Sequence, residues 1–211
     1  MKLITDKLKN GFTNPEFTKY LKTSVPKSSF TKEEAEELQK ILEAGLKEYT
    51  GLGIAATQLG INKRACLINV RDVEMFLLNP VITHKSNEGY IFYEGCLSIP
   101  KTMETPIRTI RATEIKVQTD NLGELSFAIN AEEDGNDNQV SLETLLCTVI
   151  QHEIDHLDGM TIRDRIYSTT IKKNVSYGRN DKILMKSPDN EFVEIKYKKA
   201  NDYFLKGYEI I

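Results

Sequence analysis

The chain has 211 residues, 40% hydrophobic and 28% charged, as is ordinary for a globular domain with its own apolar core. A formal net charge of −3 argues against a nucleic-acid binder that depends on neutralising phosphates. No long apolar run follows the first residues, so neither a signal peptide nor a membrane span is expected.

The first fifty residues carry no obvious chemistry. Residues 1–30 are polar with scattered apolar positions, and Asn14-Pro15 marks a turn, so irregular structure is expected there. A helix should follow, because Thr31 and Glu34 form a capping-box pattern. Apolar residues then recur at helical spacing to about Tyr49, which predicts a helix that packs on a sheet.

A glycine-rich stretch runs from Gly51 to Gly60. Its glycines allow the backbone to approach a ligand closely or to turn sharply. Neither Gly-x-Gly-x-x-Gly nor Gly-Lys-Ser/Thr is present, so a nucleotide site is not indicated. A tight helix-to-strand connection explains the stretch equally well. Gln58 is the candidate functional residue, since its amide can donate to a developing oxyanion.

Short strands are predicted after the glycine-rich stretch. Residues 65–70, 75–78 and 81–84 have the apolar and β-branched composition of strands. His84 lies in a polar strand-edge context, and we interpret it as a structural or surface residue.

Cys96 lies in the segment Glu94-Gly95-Cys96-Leu97-Ser98. It could be a small buried residue, a thiolate metal ligand or the nucleophile of a Cys/His pair. The histidines downstream favour the metal ligand. Cys66 and Cys147 have no such setting and are expected to be core thiols. An odd cysteine count, three, argues against a disulfide scaffold and for a reducing compartment, by default the cytoplasm.

The next segments have strand-like patterns. Residues 106–117 and 125–129 are predicted strands, and residues 120–123 form a hairpin turn before the second. Residues 131–139 are acidic and contain a glycine. A calcium loop is one interpretation, but the EF-hand spacing is absent, so a solvated insertion is favoured.

The strongest motif is His152-Glu153-x-x-His156 within residues 151–159. Residues four apart share one face of a helix, so both imidazoles can reach one metal ion. Glu153 can then handle the proton of a water molecule that the ion holds. Ser141 is a plausible N-cap and Gly159 a natural C-terminal stop, which predicts a helix between them with the histidines on its apolar face.

The residues after this motif, from Thr161 onwards, have a pattern of predicted elements of their own. Residues 161–166 form a short strand or connection, and residues 172–182 are polar and basic, as in a loop. Residues 183–186 and 192–197 are predicted strands, and residues 198–206 are compatible with a short helix.

Three stretches resemble the signatures of the peptide deformylases, in the right order: Gly51–Gln58, Glu94–Ser98 and Gln151–His156. Each is modest alone, and together they are highly specific. The resemblance spans roughly residues 8–167 and implies a metallohydrolase that removes the N-formyl group from the formylmethionine of nascent polypeptides, releasing formate.

The resemblance also implies the fold. It is an α+β fold in which antiparallel sheets pack around a central metal-binding helix. Residues 1–170 would be the catalytic domain. Residues 171–211, which the resemblance does not cover, would be a C-terminal extension, a small β-hairpin with a short helix, packed on the same domain.

The resemblance assigns roles residue by residue. The metal ligands would be Cys96, His152 and His156. Glu153 would be the general acid/base, and Gln58 with the backbone N–H of Leu97 would form the oxyanion site. The backbone from Gly51 to Gly53 would pair with the substrate peptide as an added strand. The other expected substrate contacts are Leu52, Phe92, Glu94, Gly95, Leu145, Thr148 and Val149.

Several positions bear on how this chain differs from the usual pattern. Arg108 falls where the family often places an arginine near the Glu94 carboxylate. Met103 lies where many members carry an arginine that helps to hold substrate, and Thr148 replaces a more apolar residue. The interval from Cys96 to His152 is longer than usual because of the acidic loop.

The implied cofactor is one divalent metal ion, ferrous iron in the cell. Two imidazoles and one thiolate suit zinc equally well, and also nickel or cobalt. The implied partners are N-formylmethionyl nascent peptides, with a transient ribosome contact as an option and with no membrane and no specific nucleic acid. The lysines of the tail could touch RNA, but a solvated basic face is the favoured interpretation.

Two other functions are compatible with parts of the pattern. A zinc peptidase would use the same histidines and glutamate with a third ligand downstream, and it would cleave unformylated peptides. A deformylase-like binding protein without catalysis is the non-enzyme alternative. The presence of Gln58, Cys96, Glu153 and both histidines argues against it.

Overall fold

A computed structural model of the chain describes residues 2–9, 11–130, 140–167, 178–188, 192–204 and 206–210. The chain divides into two units, Met1–Ile166 and Tyr167–Ile211. The acidic stretch 131–139 and most of the predicted basic loop, residues 172–177, lie outside the described residues. No helix in the described part of the chain is long and apolar enough to cross a membrane.

The helices of the first unit are α1 (Pro15–Leu21), α2 (Lys32–Tyr49), α3 (Lys101–Glu104) and α4 (Leu142–Leu157). Helix α1 corrects the prediction of irregular structure in residues 1–30. The Asn14 side chain accepts a hydrogen bond from the Glu16 N–H, and Pro15 occupies the first turn. Asn-Pro therefore begins a helix here, because asparagine is a good N-cap and proline is pre-organised for the first helical position.

Helix α2 begins and ends as predicted. Thr31 and Glu34 form both hydrogen bonds of the capping box, and Thr50 ends the helix in a left-handed conformation with φ 54°. One face of the helix buries Leu38, Leu42 and Leu46. These leucines join a core cluster with residues from the first sheet, such as Ile54 and Leu67, so α2 packs on a sheet.

The described residues of the first unit also form three antiparallel sheets. Strands β1 (Gly53–Ala55), β2 (Ala65–Val70) and β3 (Val73–Leu78) form the first sheet in the order β1-β2-β3. Strands β4 (Val81–Lys85), β7 (Glu114–Thr119) and β8 (Gly123–Ala128) form the second in the order β4-β7-β8. Strands β5 (Gly89–Glu94) and β6 (Ile107–Ala112) form the third. The predicted strand 106–117 is thus two strands, which belong to different sheets.

Helix α4 is the packing centre of the first unit. Its N-cap is Ser141, whose hydroxyl accepts the Thr144 N–H at 3.2 Å, and Gly159 follows it with φ +74°, both as predicted. Ile150, Ile154 and Leu157, with at most 1% of their surface exposed, pack against the first two sheets. Burying such a side chain typically contributes about 1.5–3 kcal/mol. The His-Glu-x-x-His motif therefore lies on an element whose position is fixed by the core.

The second unit has its own small core. Strands β9 (Lys182–Lys186), β10 (Phe192–Lys196) and β11 (Glu209–Ile210) form an antiparallel sheet in the order β10-β9-β11. A 3-10 turn, Tyr197–Lys199, precedes helix α5 (Ala200–Phe204). Ile183, Met185, Ile195 and Ala200 are buried together. The predicted strand pair and short helix are confirmed.

Candidate active site

Three side chains with metal-ligating atoms converge at the edge of helix α4. The ligand atoms of Cys96, His152 and His156 all lie within 4.8 Å of one another, and all three residues are buried. Cys96 Sγ is 3.4 Å from His156 Nε2, and the two imidazole rings are 4.8 Å apart in an edge-on arrangement. The sequence predicts this meeting of one thiol with two imidazoles, and the structure contains it.

A tight turn after strand β5 holds Cys96. The Cys96 N–H donates to the hydroxyl of Thr102 at 2.9 Å, and that hydroxyl donates to the Ile99 carbonyl at 2.7 Å. The Ile99 N–H in turn donates to the Cys96 carbonyl at 2.8 Å. The turn is therefore closed on itself, which fixes the direction of the thiol.

Each histidine is oriented through its second ring nitrogen. Nδ1 of His152 lies 2.8 Å from Glu94 Oε2, and Nδ1 of His156 lies 3.2 Å from the Met160 carbonyl oxygen. Hydrogen bonds of this kind fix the tautomer of a metal-ligating imidazole and leave Nε2 for the ion. Both imidazoles are therefore set to present Nε2 to the thiol.

A buried ion-pair network supports His152. Glu94 accepts hydrogen bonds from Arg111 Nε at 2.6 Å and Nη2 at 2.7 Å, and also from the Thr109 hydroxyl. Arg111 Nη1 donates to Asp155 at 2.5 Å. Burial alone would raise the pKa of Glu94, but Arg111 and His152 hold that pKa well below its usual range. Glu94 is therefore a carboxylate whose orientation is fixed on both sides.

Arg111, and not Arg108, is the arginine beside Glu94, which corrects the prediction. Side chains alternate between the two faces of a strand, and along β6 Thr109 and Arg111 are buried, whereas Arg108 is exposed. Arg108 pairs in register with Tyr93 on the neighbouring strand. The alternation of side chains along the strand therefore decides which arginine reaches the buried carboxylate of Glu94.

The electrostatics of the centre favour the thiolate form of Cys96. Burial alone would raise its pKa, but the adjacent His156 and His152 lower the pKa to about 5. Burial would lower the pKa of His152, yet Cys96 and Glu94 raise it well above the usual value. A thiolate is the form that binds a metal ion, so the thiol is prepared for coordination.

Glu153 is a buried carboxyl that lies beside this centre. It is 3% exposed, and its Oε2 has no hydrogen-bond partner among the described residues. Burial raises the pKa of Glu153, while His152 and His156 oppose that shift. A Cβ on Gly53 would come within 2.7 Å of Glu153 Oε1, so strand β1 approaches this carboxyl as only glycine permits. Buried polar groups in native proteins nearly always have a partner; the orphaned oxygen indicates a ligand there.

Gln58 lies in the 3-10 helix Ala56–Leu59 and is 1% exposed. Its Oε1 accepts the Ala55 N–H at 2.8 Å, and its Nε2 donates to the Ser98 hydroxyl at 3.1 Å. A primary amide has two N–H donors, so one donor remains for a ligand. These two contacts set which end of the amide faces the pocket.

A pocket of about 200 Å³ opens beside the three convergent side chains. Every substrate contact expected from the sequence lines it: Gly51, Leu52, Gly53, Phe92, Glu94, Gly95, Leu145, Thr148 and Val149. Gln58, Leu97 and Glu153 line it as well. The sequence missed Thr50 and Tyr93 as lining residues. Met103 also contributes and covers Gly95, where an added Cβ would meet its sulfur at 2.8 Å.

The donor set fits one metal ion. Two imidazoles and a thiolate are typical ligands of zinc and of other divalent transition metals, and three protein ligands leave a position open for chemistry. No other group of three or more such side chains lies close together in the described residues. Fold and site together define a metal-dependent hydrolase with a single metal centre.

A sequence model of the family described as polypeptide deformylase matches residues 16–172. The chain belongs to this family. The match covers the whole of the convergent site and helix α4.

Individual relatives agree. The chain is 36% identical over 152 residues to the peptide deformylase of Dictyoglomus thermophilum. This alignment covers 72% of this chain and 90% of the relative. A crystal structure of the class I type b peptide deformylase from Acinetobacter baumannii matches with a TM-score of 0.57 and 26% sequence identity. The match covers 78% of this chain and 100% of that one. The crystal structure of a probable peptide deformylase from the Synechococcus phage S-SSM7 matches with a TM-score of 0.58 and 28% sequence identity. The match covers 79% of this chain and 99% of that one.

Proposed function

We propose that this protein hydrolyses the N-formyl group of formylmethionyl peptides at the centre formed by Cys96, His152 and His156. The observation that carries the proposal is the convergence of their ligand atoms within 4.8 Å beside a carboxyl oxygen, Glu153 Oε2, that has no partner among the described residues. The three side chains would hold the ion. The ion would supply Lewis acidity, which makes water acidic enough to ionise near neutrality.

Glu153 is proposed to move the proton. Its Oε2 takes a proton from the attacking water, and oxygen then adds to the formyl carbon. As the C–N bond breaks, the same carboxyl delivers a proton to the methionine nitrogen, giving formate and a free amine. A buried glutamate with a raised pKa suits both steps, because a proton carrier works best when its pKa lies near the working pH.

Gln58 and Leu97 are proposed to stabilise the charge that builds on the formyl oxygen. Gln58 Nε2 lines the pocket with one donor left over, and the backbone of Leu97 follows the metal-ligating cysteine. Removing one such donor typically lowers the rate by about 10²–10³. The amide orientation set by Ala55 and Ser98 is then part of catalysis.

Substrate recognition is proposed to combine an apolar pocket with backbone pairing. Leu145, Val149 and Phe92 supply apolar surface for the methionine side chain. The edge from Gly51 to Gly53 would pair with the peptide as an added strand. A formyl group carries only hydrogen on its carbonyl carbon, so a narrow site can admit formyl and exclude acetyl by size.

Iron is the metal proposed for the cell, with zinc, nickel or cobalt as ions that the same ligands accept. Iron and thiolate both oxidise, so an iron form should lose activity in air.

The cytoplasm is the proposed location. In support, all three cysteines, Cys66, Cys96 and Cys147, are free thiols, as is usual in reducing compartments.

Residues 1–170 are the proposed catalytic domain, and residues 171–211 are a proposed C-terminal extension. A transient contact with the ribosome is proposed because the substrate is a nascent chain.

One experiment separates this function from peptidase activity. Purified protein is analysed for metal content and then incubated with formyl-Met-Ala-Ser and with Met-Ala-Ser. We expect about one ion per chain and formate release from the first peptide only. Cleavage of the unformylated peptide would support a zinc peptidase, and metal without either activity would support a binding protein.

A further inference from the structure

Thr148 is a polar residue in a part of the pocket that is otherwise lined by apolar side chains. It lies on helix α4 and lines the pocket together with Leu145, Val149 and Phe92. The residue is only 2% exposed, and its Oγ1 has no hydrogen-bond partner among the described residues. A buried hydroxyl without a partner is unfavourable, so this atom requires an explanation.

A second threonine on the same helix shows what a structural hydroxyl does. Thr144 lies one turn before Thr148 and is also buried. Its Oγ1 accepts hydrogen bonds from the Asn130 N–H at 3.0 Å and from the Ser141 hydroxyl at 2.9 Å. Threonine in a helix can also donate to the carbonyl four residues earlier, but Thr148 makes no such bond here. Thr148 therefore lacks the structural bonds that Thr144 makes, and it differs from Thr144 in lining the pocket, where a ligand can supply the partner.

The position of Thr148 indicates which group that is. His152 lies four residues after Thr148, about 6 Å along the helix axis, and both residues line the pocket. With the formyl group at the proposed metal centre, the proposed function puts the methionine side chain in the part of the pocket that Thr148 lines, about one helical turn from His152. That offset matches the reach of an unbranched side chain of methionine length, whose thioether sulfur is a weak hydrogen-bond acceptor.

We infer that the Thr148 hydroxyl donates a hydrogen bond to the sulfur of the substrate methionine and that this pocket thereby distinguishes the thioether from a methylene group of the same size. The inference rests on the proposed function. Apolar contacts alone recognise the shape of a side chain and hardly distinguish isosteres. A hydroxyl within the pocket adds a chemical criterion, because with a methylene it is left unpaired.

Norleucine tests this inference, since it replaces the sulfur by a methylene group. kcat/KM is measured for formyl-Met-Ala-Ser and formyl-norleucyl-Ala-Ser with the wild-type protein, Thr148→Val and Thr148→Ser. Valine removes the hydroxyl with little change in shape, and serine retains it. We expect the Met/norleucine ratio to fall by roughly two- to tenfold in Thr148→Val, the range of one net hydrogen bond, and to be retained in Thr148→Ser.

The outcomes separate two failures. An equal Met/norleucine ratio in the wild type and in Thr148→Val, with formyl-Met-Ala-Ser still hydrolysed, overturns the role of Thr148 and leaves deformylation intact. No hydrolysis of formyl-Met-Ala-Ser by metal-loaded wild type means that the proposed function itself is wrong. Should Thr148→Val not fold, Thr148→Ala replaces it. A crystal structure with the product Met-Ala-Ser supplies a second readout: the sulfur within hydrogen-bonding distance of Oγ1 supports the inference, and the sulfur directed elsewhere overturns it.

Discussion

Glu94 Oε2 lies 2.8 Å from Nδ1 of His152, and this contact connects the candidate metal ligand to a buried arginine. On its other side Glu94 is held by two nitrogens of Arg111. Arg111 also bonds Asp155 on helix α4. The ring of His152 is thus fixed from strands β5 and β6 as well as from its own helix.

Replacing Arg111 by methionine should destabilise the protein strongly. The change leaves the carboxylates of Glu94 and Asp155 buried without this partner, and breaking a buried pair typically costs about 3–5 kcal/mol. Urea unfolding at neutral pH measures the loss. Arg108→Met on the exposed face of the same strand is the matched control, with an expected change of about 0.5 kcal/mol. An equal loss of unfolding free energy in both variants would contradict the conclusion that Arg111 is the arginine paired with Glu94 and Asp155.

Acidification should reduce what Asp155 contributes to stability. Burial raises the pKa of this carboxyl, but Arg165 and Arg111 outweigh burial, so its net pKa lies below the ordinary 3.8. A lowered pKa in the folded state means that the stabilisation is complete above pH 3.8 and is lost as the pH falls towards the folded-state pKa.

Comparison of wild type with Asp155→Asn measures that contribution. The difference in unfolding free energy should be constant between about pH 5 and pH 7 and should narrow below about pH 4. A difference that instead narrows as the pH rises would show that the folded-state pKa is raised.

Glu153→Gln should abolish deformylation while the ion stays bound. Glutamine keeps the shape of the side chain but cannot accept and return a proton, and general acid–base catalysis typically contributes about 10²–10⁴-fold. Formate release and elemental analysis are measured on the same sample. Turnover close to that of the wild type would exclude Glu153 as the proton carrier.

Cys96→Ser should weaken metal retention. A serine hydroxyl ionises far less readily than a thiol whose pKa is lowered to about 5 by the two histidines, so one of the three proposed ligands is lost. Dialysis against a chelator followed by elemental analysis measures retention. Cys147→Ser is the control because Cys147 is a buried thiol whose pKa burial raises to about 11. Unchanged retention in Cys96→Ser would remove this residue from the ligand set.

The chemistry of the site could be predicted from the sequence because it depends on local spacing. The four-residue interval between His152 and His156 is sufficient to place both rings on one helix face. The glycine-rich stretch and the segment around Cys96 made Gln58 and Cys96 candidates, and the resemblance to the deformylases then gave them roles and supplied the pocket residues. All of them line the pocket or belong to the convergent group.

The supporting contacts could not be predicted in the same way. Arg111 is 44 residues from Asp155, and their meeting depends on how a sheet packs against helix α4. The inward direction of Arg111 depends on strand parity, which a composition-based reading of residues 106–117 does not fix. Helix α1 was missed because the Asn-Pro pair serves turns and helix starts equally well.

Helix α4, which is 16 residues long, carries both the two histidines of the candidate site and a large part of the core. Its buried side opposite the pocket, with Ile150, Ile154 and Leu157, is surrounded by other elements, so a change of volume there shifts the helix and everything mounted on it. Few neutral substitutions are therefore open to this segment, and a resistance mutation against a pocket-filling inhibitor would arise more readily on the surrounding loops and strands than on the helix itself.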